Sequence, residues 1–93
     1  MGWMRVPLSP AEIAAGREGI IQDAFANVWT AAGAPSDAVM YTTPALADEH
    51  FCYFTPAAVV IARQLLSTLG AVECPEPDID ELVVLVRNDG AQV

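Results

Sequence analysis

Apolar and polar positions in this chain switch period several times, and each switch marks an element. Residues 3–8 alternate large and apolar side chains, which predicts a short strand ended by Pro7. Ser9-Pro10-Ala11-Glu12 then opens a helix: Ser9 caps it, Pro10 suits the first helical position, and Glu12 completes a capping box. Ile13, Ile20, Ala24, Val28 and Ala32 recur at helical spacing with Ile21, Phe25 and Trp29 beside them, one broad apolar stripe. Gly33 is expected to cap the C-terminus, and Pro35 prevents resumption. Gly16 and Gly19 each cost about 1 kcal/mol relative to Ala inside a helix. They mark either a bend or the close approach of another backbone.

The period falls to two over residues 37–43. Val39, Tyr41 and Thr43 face one way, Ala38, Met40 and Thr42 the other, and Pro44 ends the strand. After the loop 44–49, His50-Phe51-Cys52-Tyr53-Phe54 reads as a second, aromatic-rich strand. Thr55-Pro56 opens a second helix that runs to about Leu69 and is apolar almost all round. Arg63, Gln64, Ser67 and Thr68 form its wet face, and Gly70 closes it. Residues 71–74 suit a short edge segment and Pro75-Glu76-Pro77 a rigid loop. The run Leu82-Val83-Val84-Leu85-Val86 has strong β propensity and is expected to be buried on both faces, with Asn88-Asp89-Gly90 ending it.

The element order is (β)αββαβ, without internal repeat. It predicts a single α+β domain over residues 1–93: two helices on one face of a three- to four-stranded, mainly antiparallel sheet in ferredoxin-like order. The other sheet face is left to solvent or a second subunit. In that order the most apolar strand falls at a sheet edge, where a partner is expected to cover it. The topology carries no function by itself.

Composition changes the picture in two ways. At 54% hydrophobic and 17% charged, a 93-residue chain has more apolar side chains than its small interior holds, which points to self-association or a partner. Twelve acids against four Arg and no Lys give a net charge of −8. That excludes direct nucleic-acid binding through a basic face and favours a protein partner with a basic surface. The absence of Lys beside abundant Ala fits GC-rich coding, as in a bacterium or its phage. No targeting segment or membrane-length apolar run is visible, so a cytoplasmic location with reduced Cys52 and Cys74 is expected.

Candidate chemistry is sparse, and no cofactor is expected. His50 and Cys52 point to the same side of a strand, and with Cys74 and Glu73 they offer a weak zinc alternative. As a catalytic pair they sit ~7 Å apart at their roots, too far to guarantee contact. Trp3, Trp29, Tyr41 and Tyr53 suit a core or a pocket wall. Glu73, Glu76, Asp78, Asp80 and Glu81 crowd five carboxylates into a proline-bearing stretch without the ligand order of a calcium loop. The leading expectation is a non-catalytic acidic interaction module (a regulator, adaptor or inhibitor) that docks through this stretch, in one form by occupying a basic or nucleic-acid-binding surface of its partner. The alternative is a small dimeric enzyme or ligand-sensing domain with a pocket near His50 and Tyr41, either of them the acid/base candidate.

Overall fold

The computed structural model describes residues 2–88. The elements are β1 (Trp3–Leu8), α1 (Pro10–Ala14), α2 (Arg17–Ala31), β2 (Met40–Thr42), β3 (His50–Phe54), α3 (Pro56–Ile61), α4 (Arg63–Thr68), β4 (Val72–Cys74) and β5 (Val83–Val86). They form a small α+β domain whose five strands lie in the order β4-β1-β3-β2-β5, with every neighbouring pair antiparallel. The sheet therefore has one strand more than the sequence pattern predicted, and four helices stand where two were expected.

The first predicted helix divides at Gly16, whose φ of 82° is left-handed and cannot continue a right-handed helix. The bend reading therefore applies to Gly16, while Gly19 continues inside α2. No atom lies within 4 Å of where a Cβ would stand at either glycine, so neither serves a close approach. The break re-phases the apolar stripe. Ile21 and Phe25 are fully buried, whereas Ile20, placed on the predicted stripe, is 63% exposed. The second predicted helix divides at Ala62, where φ is −119°; nothing in the local sequence explains that kink. Both predicted N-caps form. Ser9 and Glu12 exchange hydrogen bonds of 3.1 and 2.9 Å with each other's backbone. The Thr55 hydroxyl accepts the N–H of Ala58 and, from the start of the β2 region, that of Val39 at 3.0 Å.

The main core lies between the sheet and the helices. Val6, Leu8, Met40, Cys52 and Phe54 from the sheet meet Ile21 and Phe25 of α2, Ala58 and Val59 of α3 and Leu66 of α4. Phe25 and Phe54 meet edge to face at 5.3 Å, a favoured aromatic geometry. Alternation along the strands sends Trp3, Tyr41, Phe51 and Tyr53 to the opposite face, where they form a second cluster with Cys74 and Leu82. The residues expected at 3–8 do form a strand, and Pro7 lies within it rather than ending it. Pro7 pairs with Phe51 where β4, which reaches only Trp3–Arg5, no longer flanks β1, so its missing N–H is tolerated.

The main departure concerns the last apolar run. The segment 71–74 forms the expected edge piece, β4, hydrogen-bonded to β1, while the run 83–86 is not the strand beside β1 but a fifth strand outside β2. It is not buried on both faces: Val83 and Val84 are 48% and 37% exposed, and only Val86 is buried. A bulge places Leu85 without its own partner, since Met40 pairs Val86 and Tyr41 pairs Val84. Asp89 and Gly90, expected to end this strand, lie outside the described residues.

The shifted stripe has a direct test. Phe25→Ala should cost about 3–5 kcal/mol, because it removes a fully buried ring. Ile20→Ala should change stability by less than about 0.5 kcal/mol. Urea denaturation of the two variants measures both, and equal losses would restore the unbroken stripe.

Candidate functional site

β4 and β5 are consecutive in the chain yet occupy opposite edges of the sheet. Four inter-strand gaps of ~4.8 Å separate them by roughly 19 Å. The connecting segment 75–82 must cross a face, and the helices hold one of them. It crosses the other. Leu82 packs into the Trp3, Tyr53 and Cys74 cluster, and Pro77, Asp78 and Glu81 border a cleft with Tyr53, Thr43 and Pro44. The sheet face expected to be open, or to meet a second subunit, is therefore crossed by a strap from the same chain.

The strap combines a fixed shape with a single sign of charge. Asp78 accepts the N–H of Asp80 at 3.1 Å and caps a 3-10 turn at Ile79–Glu81. Pro75 and Pro77 restrict the approach to that turn. Glu76, Asp78, Asp80 and Glu81 are all exposed, and Ile79 stands among them at 42% exposure. The structure thus brings together four of the five expected carboxylates. Glu73 belongs to β4, opposite Met4, and is also exposed. Among the described residues the one ion pair is Arg17 with Glu12, at 3.2 Å, and no strap carboxylate takes part in one.

Beneath and beside the strap, Trp3 stacks on Tyr41 at 6.1 Å, and Phe51 tilts against Tyr53 at 5.8 Å. The Arg5 guanidinium lies 4.3 Å over the Phe51 ring, and its buried Nε has no hydrogen-bond partner. The ring face offers this cation a partial substitute for water. The sequence pattern missed Arg5 and Leu82. Arg5 is recognisable only once β1 is known to alternate inside the sheet, and Leu82 was assigned to the strand rather than the strap.

His50 and Tyr41 do not share a pocket. His50 shares the helix side of β3 with Cys52 and Phe54, at the end of the sheet, whereas Tyr41 belongs to the aromatic cluster on the other face. His50 Nδ1 lies 3.3 Å from Thr43 Oγ1. Cys52, two residues on, is fully buried beneath the helices, and burial first, then the nearby Glu18 charge, pushes its thiol up to about 12. Such a thiol is neither a ready metal ligand nor a ready nucleophile. Cys74 sits on the opposite face with its pKa also raised, chiefly by burial. Both cysteines are free. Among the described residues no group of three or more His, Cys, Asp or Glu side chains is placed to hold a metal ion. Trp29 lies against the main core with Nε1 donating to the Pro35 carbonyl at 3.3 Å. Glu18, unremarked in the sequence pattern, accepts a 2.5 Å hydrogen bond from Thr42 Oγ1 at the His50 end of the sheet.

The sequence matches no protein-family model, and comparison with curated proteins and with solved structures finds no match. No helix among the described residues is long and apolar enough to cross a membrane.

The raised Cys52 pKa makes stability depend on pH. The folded state favours the neutral thiol, so this contribution is complete below the unfolded value near 9 and is lost as pH rises towards 12. The whole shift corresponds to roughly 4 kcal/mol. The urea midpoint should therefore fall between pH 8 and pH 10.5, and Cys52→Ala should flatten that fall.

Proposed function

We propose that this protein is an acidic protein-interaction module that docks onto a basic surface of a partner protein through the strap 75–82. In this reading β4-β1-β3-β2 follows the ferredoxin-like order, and β5 is an addition that obliges the strap to cross the sheet. The observation that carries the reading is the strap itself. Four exposed carboxylates, none of them in an ion pair among the described residues, lie on a strap whose Leu82 packs into the aromatic cluster, with exposed Ile79 between them in the chain. Holding like charges together raises the local negative potential, which speeds encounter with a basic partner and selects against acidic ones. Ile79 adds the apolar contact that charge alone lacks. A basic surface of this kind includes the nucleic-acid-binding face of another protein.

The test compares capture of partners from the native host by the wild type and by the variant Asp78→Asn, Asp80→Asn, Glu81→Gln. Those side chains are exposed, so the triple change should alter stability little. Partners held by the wild type at low salt should be lost from the triple variant and released as salt rises. His50→Ala should retain them. Equal capture by the triple variant, with loss on His50→Ala, would replace this reading with one centred on His50.

Self-association belongs to the same proposal and is supported by the outer edge of β5. Val83 and Val84 are exposed at the outer edge of β5, where no further strand pairs among the described residues. Two copies of β5 could pair antiparallel through this free edge, centred on Val84. The bulge at Leu85 keeps that pairing short, so the association is weak. Light scattering should show a mass that rises with concentration towards twice 9.9 kDa. Val84→Lys, which sets a charge on the exposed edge strand, should hold it at one copy. A wild type that stays monomeric throughout removes this part of the proposal.

A further inference from the structure

A second feature lies away from the strap, on the helix side of the sheet. At the end where α2 begins, a cleft of about 340 Å³ opens between the helix start and β5. Its walls include Ile13, Glu18, Thr42, His50, Val83 and Leu85. The volume falls at the lower end of the range of small-molecule sites, roughly 300–1,000 Å³. Three of these walls are aliphatic, and Ile13 and Val83 are exposed although large and apolar. Their exposure finds no explanation in the core, since the break at Gly16 turned Ile13 away from the main cluster.

The single carboxylate on these walls is Glu18, and it is held in place. Its Oε2 accepts the Thr42 hydroxyl at 2.5 Å, and Thr42 itself is buried in the sheet. Its other oxygen has no hydrogen-bond partner among the described residues. Arg17, the next residue along the chain, is engaged by Glu12 at 3.2 Å and does not line the cleft. Glu18, in the first turn of α2, therefore offers an anchored negative charge that neither Arg17 nor any other Arg on the cleft walls pairs with, beside apolar walls where attraction for a cation exceeds that in open water. A divalent metal ion does not suit it: hard cations take six or more oxygen ligands, and one carboxylate with two hydroxyls supplies too few.

We propose that this cleft binds a small organic monocation, a primary ammonium group carried on a short apolar body. The ammonium donates to Glu18, with His50 and Thr43 beside it, and the apolar body lies against Ile13, Val83 and Leu85. None of the strap carboxylates lines this cleft.

Benzylammonium is a suitable probe, followed by amide chemical shifts, with benzyl alcohol as the uncharged control of similar shape. Saturable shifts should be confined to Ile13, Glu18, Thr42, His50, Val83 and Leu85. Benzyl alcohol should bind at least about tenfold more weakly, as should Glu18→Gln, which keeps an oxygen for the Thr42 hydroxyl. Val83→Lys changes an exposed position, leaves Glu18 untouched and sets a competing cation at the cleft; it should abolish the shifts, and it decides the matter should Glu18→Gln fail to fold. Three results overturn the proposal: no saturable shift with millimolar benzylammonium, undiminished binding by a folded Glu18→Gln or by Val83→Lys, or shifts spread over Glu76, Asp78, Asp80 and Glu81. The last would mean diffuse attraction to an acidic protein.

Discussion

The two edge strands of the sheet follow one another in the chain, and that constraint organises the molecule. A connection between opposite edges must run across a face of the sheet. Because α2, α3 and α4 already cover one face with the main core, the segment 75–82 has only the other. Its path then determines which residues the aromatic face buries. Trp3, Tyr53 and Cys74 are buried although no helix covers them, since Leu82 and the strap close over that side. The result is a sheet with two unequal clusters, a helical core and a smaller aromatic one roofed by a loop.

The strap satisfies two demands that usually conflict. Its backbone must lie close to apolar rings, yet its sequence is the most acidic in the chain. The conflict is resolved by direction. Leu82 turns inward and the carboxylates turn to water, so no charge is desolvated. The 3-10 turn capped by Asp78 satisfies local backbone groups that have no strand to pair with. Arg5, by contrast, lies in the sheet face itself, and the Phe51 ring occupies its side. The same architecture separates the two regions that carry the functional proposals. The charged strap lies on one side of the sheet, and the Glu18 cleft on the helix side at its end.

Much of the fold was legible because it is written in local chemistry. The caps at Ser9 and Thr55, the left-handed glycines at 33 and 70 and the strand β3 each depend on a few adjacent residues and formed as the pattern implied, whereas the strand expected over 37–43 formed only over Met40–Thr42. The helix stripe misled because a left-handed Gly16 shifts the phase of everything after it, and a periodic pattern counts straight through a break. The strand at 83–86 misled for another reason. A run of Val and Leu signals burial on both faces, but at a sheet edge such a run can be half-exposed, and composition does not record which neighbour is missing. The carboxylates of the strap were legible as a cluster. Glu18 was not, because its significance depends on Thr42, 24 residues away.

By itself, then, the sequence determined the class of the domain, the type of nearly every element, and a strongly acidic surface with few groups able to do chemistry. Those properties follow from backbone preferences and side-chain solvation, which act over a few residues. Only the tertiary structure decided that Val72–Cys74, not the last apolar run, would flank β1. It alone put His50 and Tyr41 on opposite faces and carried the acidic segment over the aromatic one. Strand pairing joins residues far apart in the chain, and the choice of neighbour rests on how two sheet faces and three helices fill space together. No local signal encodes that choice, because the competing arrangements use the same strands.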